Sequence, residues 1–255
     1  MKPPGRDRRS PTVERKDDEE ARSRQPGFHR ILPGVLRLGG FIFLLGSPSR
    51  GQEGDPAGAA LKRLAERFKD LKTLSAKVVQ SRKTALLDTP ILSSGKLCYR
   101  RDPARLVFRM TEPRVTEIHL DKSAYQVYRP DEKRLERIEF ENDDVTGRLL
   151  MVFQPKADEI GKAFGIRTGE SAKGEIVVLL EPVDEKVRRR IRRLALTLGE
   201  PDAALKRIVF TDPDGDEVRL DLSEVALDPT LDAAAFELKV PEGTRILKHA
   251  AKLDR

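Results

Sequence analysis

SGKLCYRRDPARLVFRMTEP, residues 94–113, reads as two strands joined at a turn. Asp102-Pro103 marks the turn, and Glu112-Pro113 marks the next one. Between them Leu106, Phe108 and Met110 alternate with other residues. Side chains two positions apart share one face of a strand, so these three bulky apolar groups lie together. The same period of two recurs on both sides of the hairpin. It predicts strands at 74–83, 94–99, 105–111, 115–120, 124–128 and 134–140, then at 175–180, 192–198, 205–211 and 217–222. A last edge strand is expected at Phe236–Val240, stopped by Pro241.

Turn signals stand between the strands: Asp121-Lys122-Ser123, Pro130-Asp131 and Asp212-Pro213-Asp214-Gly215. The short, regular spacing is that of an antiparallel meander and not of βαβ units. Ahead of the strands, Leu61, Leu64, Phe68 and Leu71 recur at three- and four-residue steps, which predicts an amphipathic helix over 60–71. Between the two groups of strands, Val145, Leu149, Leu150, Val152 and Phe153 follow a helical pattern, with Asp143 or Asp144 as N-cap and a further turn or two over 156–164. The fold class is therefore α+β and mainly β. One large, strongly curved antiparallel sheet is closed over by helices, with a fully closed barrel as the alternative.

The chain has 255 residues and a formal charge of +7. The basicity is not spread evenly. Residues 1–51 hold 11 Lys/Arg and 6 Asp/Glu, which leaves 38 basic and 36 acidic residues in 52–255. That near balance removes the main support for nucleic-acid binding. Residues 1–30 mix Arg, Asp, Glu, Pro and Ser and are expected to form a disordered leader. Arg30 and Arg37 precede the apolar run Leu38–Leu45, and Ser49 and Gly51 follow it as small residues. Over 31–51 this is the order of a secretory signal peptide, and the run is far short of the roughly 20 residues that span a bilayer. Residues 52–59 read as a linker and 60–250 as the folded domain.

The candidate chemistry is sparse. Cys98 is the one cysteine, so no intramolecular disulfide and no thiolate metal site can form. In its strand pattern it reads as a small buried hydrophobe. His29, His119 and His249 are scattered, without partners at metal-ligand spacing, so no metal and no cofactor is expected. Asp143-Asp144 and Asp212 with Asp214 are explained by cap and turn chemistry. No nucleophile or phosphate-loop motif occurs, and the reading is of a protein that is not an enzyme. A sheet with one bulky apolar face and no catalytic set is suited to hold an apolar ligand.

The order of local patterns resembles one family. The helix over 61–71 leads into SAKVVQSRKT (75–84) with its polar Gln80. SSGKLCYRRDPARLVFRMTEP (93–113) follows, with a small-residue start, a basic residue near proline and an aromatic-bearing strand. LDKSAYQVYRPDEKRLERIEF (120–140) supplies an aspartate turn and a tyrosine-rich strand, and LDAAAFELKVPEGTRI (231–246) a closing D-A-A-x-F and Pro-x-Gly turn. Taken together over 55–250 they are similar to the periplasmic carriers that move lipoproteins to the outer membrane, the LolA-like family.

The resemblance implies an incomplete β-barrel capped by lid helices around a cavity for acyl chains. It implies a monomer in the periplasm that takes acylated lipoprotein cargo from an inner-membrane lipoprotein-releasing ABC transporter to an outer-membrane acceptor. Cavity lining is expected from Leu106, Phe108 and Met110, and from Leu149, Leu150, Met151 and Phe153 on a lid. The family's arginine near the proline, which latches the lid, falls on Arg101 or on Arg100, because Asp102 is an extra residue before the proline. The dense basic run containing Arg188, Arg189 and Arg190 is a candidate docking patch for an acidic partner or anionic headgroups. The same fold also serves envelope-stress regulators and carriers of other lipids, which are the alternative functions.

Overall fold

The computed structural model describes residues 55–250 except 86, 141–149, 151 and 190. The leader, the signal region and most of the expected helix over 144–153 lie outside these residues. The helix α1 runs Pro56–Phe68, starting inside the stretch expected to be linker and stopping before Leu71. Its start has a local cause. Asp55 caps it by accepting from the Ala57 amide, and Pro56 at the first position brings a φ suited to a helix.

The period of two is observed as β1 (Thr73–Lys83), β2 (Ile91–Arg100), β3 (Arg105–Glu112), β4 (Thr116–Asp121), β5 (Ala124–Arg129) and β6 (Arg134–Glu139). Then come the short helix α2 (Ala157–Ala163), β7 (Phe164–Gly169), β8 (Glu175–Pro182), the single turn α3 (Glu185–Arg188), β9 (Arg193–Gly199), β10 (Ala204–Thr211) and β11 (Glu217–Leu227). A 3₁₀ turn at Ala233–Phe236 and a strand β12 (Arg245–Ala250) are the last described elements.

Three expectations need correction. Residue 164 begins a strand and does not end a helix, and Phe164 and Ile166 face the core from β7. The last strand is not Phe236–Val240: that stretch begins in the 3₁₀ turn, and Arg245–Ala250 forms the strand. The unbroken apolar run Ile176–Leu180 reads in the sequence as a strand covered on both faces, whereas only its alternate residues are buried.

All strands belong to one sheet in the order β12-β6-β5-β4-β3-β2-β1-β11-β10-β9-β8-β7. Every pairing is antiparallel except β12 on β6, which is parallel. β12 and β7 are the two edges, so the curved sheet stays an incomplete barrel. The register slips between Ser94 and Gly95 on β2. A Cβ at Gly95 would lie 2.1 Å from the Arg109 carbonyl oxygen, so only glycine lets the two backbones approach there. α1 packs on the inner face of the sheet through Ala57, Ala60, Leu61, Leu64 and Phe68, all buried and in one cluster with strand residues.

Candidate functional site

Register places Leu97 opposite Phe108, Tyr99 opposite Leu106 and Gly95 opposite Met110. The alternation in 105–111 thus becomes one inward-facing row. Leu106 and Met110 are buried in the cluster that contains α1, and Phe108 packs against it. From the other half of the sheet, Val178, Leu180, Leu196, Leu198 and Ile208 join the same cluster. Leu150, Val152 and Phe153 are buried there too. Leu149 and Met151 lie outside the described residues. The structure therefore brings together five of the seven candidate lining residues, in the same buried cluster that takes the apolar side of α1.

Polar contacts hold α1 at both ends. At its start the Thr168 hydroxyl on β7 donates to the Asp55 carboxylate at 2.6 Å. At its end the Arg101 guanidinium donates to the carbonyl oxygens of Phe68 and Lys69. These carbonyls belong to the last turn of the helix, where no intrahelical donor remains. Arg100 does something else: it lies 4.7 Å from the Phe236 ring. Of the two candidate arginines, Arg101 is the one at the helix. Phe153 stacks on Tyr99 at 5.2 Å, and the Gln154 amide donates to the Tyr99 hydroxyl. Burial pushes the Tyr99 phenol up, against the Gln154 hydrogen bond and the Arg101 charge.

One part of the inner face is polar. Gln80, Arg82, Arg129 and Glu136 are buried, and Arg129 pairs with Glu136 at 3.0 Å. Desolvation pushes the Tyr125 phenol among them up to about 12, with Arg129 and Arg82 opposing and Glu136 assisting. Sequence reasoning missed this group. Its signal was the period-two series Ala76, Val78, Gln80, Arg82, which carries the inward side of β1 from apolar to polar.

The outer face of β3 is covered by the C-terminal segment. Arg105 donates to the Phe236 carbonyl at 3.0 Å, and Arg109 to those of Ala235 at 2.8 Å and Ala234 at 3.1 Å. Arg109 and buried His119 both approach the Glu117 carboxylate at 3.3 Å. The hydrogen bond with His119 holds Glu117 below the usual carboxylate range, against burial and with help from Arg109. Cys98 is half-buried, and desolvation pushes its thiol up against Arg109 and Lys96.

In the basic run, Arg188 donates to the Val183 carbonyl at 3.1 Å and Arg189 pairs with Glu185 at 3.1 Å. Arg190 lies outside the described residues. A cleft of about 340 Å³ opens between Glu181, Arg192, Arg193, Thr211, Gly215 and Glu217. A second, of about 320 Å³, shares Glu181 and Arg192 with it and adds Pro182 and Arg188. Neither is lined by the apolar cluster. Among the described residues no group of three His, Cys, Asp or Glu side chains is placed to hold a metal, and no helix is long and apolar enough to cross a membrane.

The fold is thus an open, strongly curved sheet with helix α1 packed into the apolar cluster of its inner face. The chain belongs to the family described as outer membrane lipoprotein carrier protein LolA, whose model matches residues 69–239. No curated protein matches the sequence. Among solved structures it is similar to an uncharacterized conserved protein from Thermus thermophilus, with 11% identity, TM-score 0.47, and coverage of 76% of this chain and 99% of the other. It is also similar to the lipoprotein LppX of Mycobacterium tuberculosis, with 11% identity, TM-score 0.41, and coverage of 69% and 97%. A LolA superfamily protein of Nitrosomonas europaea shares 14% identity, TM-score 0.39, with coverage of 71% and 97%.

Proposed function

We propose that this protein is a periplasmic carrier that takes the acyl chains of lipoproteins onto the inner face of its sheet and escorts them from the inner to the outer membrane, without chemistry. The observation that carries this reading is the tethered helix. α1 covers a continuous apolar surface, yet its ends are held by polar contacts from Thr168 and Arg101 that can be exchanged with water. Each methylene taken out of water contributes about 0.8 kcal/mol, so a multiply acylated polypeptide needs such a surface to cross an aqueous compartment. Release needs the opposite, a bound state only moderately favoured. A helix that repacks when cargo leaves supplies that balance. The polar group around Arg129 and Glu136 then faces the polar end of the acylated residue.

On this reading, donor and acceptor are an inner-membrane ATP-driven releaser and an outer-membrane receptor, and residues 31–51 direct export. The test is to purify the protein from an envelope extract and identify what it carries by mass spectrometry. Acylated peptides are the expected result. Phospholipid or glycolipid alone would replace the lipoprotein reading with carriage of another lipid.

A further inference from the structure

The cleft between β8, β9, β10 and β11 has no part in covering the apolar face. Its walls are built by the sheet register. Arg193 on β9 is the direct cross-strand partner of Thr211 on β10, and Thr211 is the direct partner of Glu217 on β11. Directly opposed residues share a face with their Cβ atoms about 5 Å apart. A guanidinium, a hydroxyl and a carboxylate therefore stand in one row. Arg192 adds a second guanidinium to the same cleft, and Glu181 pairs with Arg167.

Thr211 links charge to ligand. It is 8% exposed, it lines the cleft, and its hydroxyl has no hydrogen-bond partner among the described residues. A buried hydroxyl without a partner is costly, and native structures rarely keep one without a use. Two guanidiniums flanking a free hydroxyl match the oxygens of a phosphoryl group. Glu217 on the far side of the hydroxyl disfavours a simple anion and favours a ligand that carries a cation beyond its phosphate.

The rim around the cleft names the source of such a ligand. β8 ends, β9 begins, β10 ends, β11 begins, β1 ends and β2 begins at this one rim of the sheet. Val183, directly after β8, is 58% exposed, and Leu92 on β2 is 59% exposed. Exposed aliphatic side chains beside arginines are the composition of a surface that rests on lipid headgroups. Asp184, Glu185, Asp214 and Asp216 lie on the same rim. They oppose attraction to a strongly anionic bilayer and leave a zwitterionic one.

We propose that this cleft binds the phosphoethanolamine headgroup of a membrane phospholipid, with the phosphate on Arg192, Arg193 and Thr211 and the ammonium on Glu217, so that this rim of the sheet meets the bilayer. The inference does not rest on acyl-chain binding by the core. The test is sedimentation of the full chain with vesicles of phosphatidylcholine, of phosphatidylcholine mixed with phosphatidylethanolamine, and of phosphatidylcholine mixed with phosphatidylglycerol. Binding is expected to be several-fold stronger to the phosphatidylethanolamine vesicles. Thr211→Val and Arg193→Gln should each weaken it several-fold, Thr211→Val with a melting temperature equal to or above that of the wild type because the unpartnered hydroxyl is gone, and Glu217→Gln should abolish the preference over phosphatidylglycerol. If Arg193→Gln fails to fold, Thr211→Val, which keeps the side-chain volume, decides alone. Equal binding to all three vesicles, stronger binding to phosphatidylglycerol, or wild-type binding by Thr211→Val would overturn the proposal. Binding of soluble glycerophosphoethanolamine without any vesicle binding would overturn the membrane assignment.

Discussion

Arg101 donates to the carbonyl oxygen of Phe68, 33 positions earlier in the chain, and so ties the start of the β2–β3 turn to the end of α1. The Lys69 carbonyl accepts from the same guanidinium. On the proposed reading, in which α1 moves to admit cargo, the strength of this tie sets how readily the apolar inner face is reached.

Arg101→Leu removes both donations, leaving the Lys69 carbonyl to water and the Phe68 carbonyl with the Leu71 amide alone. Hydrogen bonds from a charged donor contribute about 1.5–3 kcal/mol each when well shielded, and Arg101 is only half-buried, so a loss of ~1–3 kcal/mol is expected in urea unfolding. If the tie is present only with α1 closed, the same energy reappears in binding. A fluorescent fatty acid should then bind roughly 5–150-fold tighter to the variant, and cargo should be held longer. Weaker stability with unchanged fatty-acid affinity would show that Arg101 stabilises the fold without governing access.

Leu64→Ala tests the cover itself. Leu64 is fully buried on the inner side of α1. Deleting its branched end costs about 2–5 kcal/mol through lost burial and the cavity left behind. The cavity adjoins the expected path of acyl chains, so an apolar fluorescent probe should bind the variant more strongly than the wild type under native conditions.

Gly95→Ala tests the bend in the sheet. Its added methyl would meet the Arg109 carbonyl oxygen, which is backbone and cannot turn away. The expected cost is ~1–3 kcal/mol, read as a lower urea midpoint, with β2 and β3 exchanging amide hydrogens faster.

Much of this sheet was legible in the sequence because its inward residues alternate cleanly. Leu106, Phe108 and Met110 announce both the strand and the face, and turn residues separate nearly every strand from the next. β7 was not legible. Its inward side has only Phe164, Ile166 and Thr168, and it follows directly on the helical turns of α2. The C-terminal segment misled for a different reason. Phe236–Val240 alternates like a strand, but carbonyls of residues 234–237 are taken by Arg105 and Arg109, so no ladder forms there. These are contacts across more than a hundred residues, and local pattern carries no trace of them.

The candidate site was legible only in its apolar part. Arg82, Arg129 and Glu136 look solvent-facing in a linear reading, because charged residues at alternate positions ordinarily mark the wet side of a strand. They lie inside because Arg129 and Glu136 neutralise one another and several strands converge on them. Arg101 was found through the family resemblance, and its partners at the end of α1 emerged only from the fold.

The Glu117 carboxylate gives a prediction in pH. Its hydrogen bond with His119 holds its folded pKa below the ordinary value of 4.5, and Arg109 adds to the effect while burial opposes it. A carboxylate with a depressed folded pKa contributes stability that is fully present above its unfolded pKa and is lost as pH falls through the folded one. Stability should thus be flat in this contribution at neutral pH and decline below about 4.5. Glu117 shares Arg109 with the carbonyls of Ala234, Ala235 and Glu237, so protonating it also loosens the donor that holds the C-terminal segment. Amide exchange in residues 233–237 should therefore rise in acid before global unfolding. Glu117→Gln should be less stable at neutral pH and show a shallower decline between neutral pH and the acid transition. An acid transition of unchanged steepness in that variant would assign the decline to Asp121, Asp221 and Asp228, whose folded carboxylates are also held below the ordinary range.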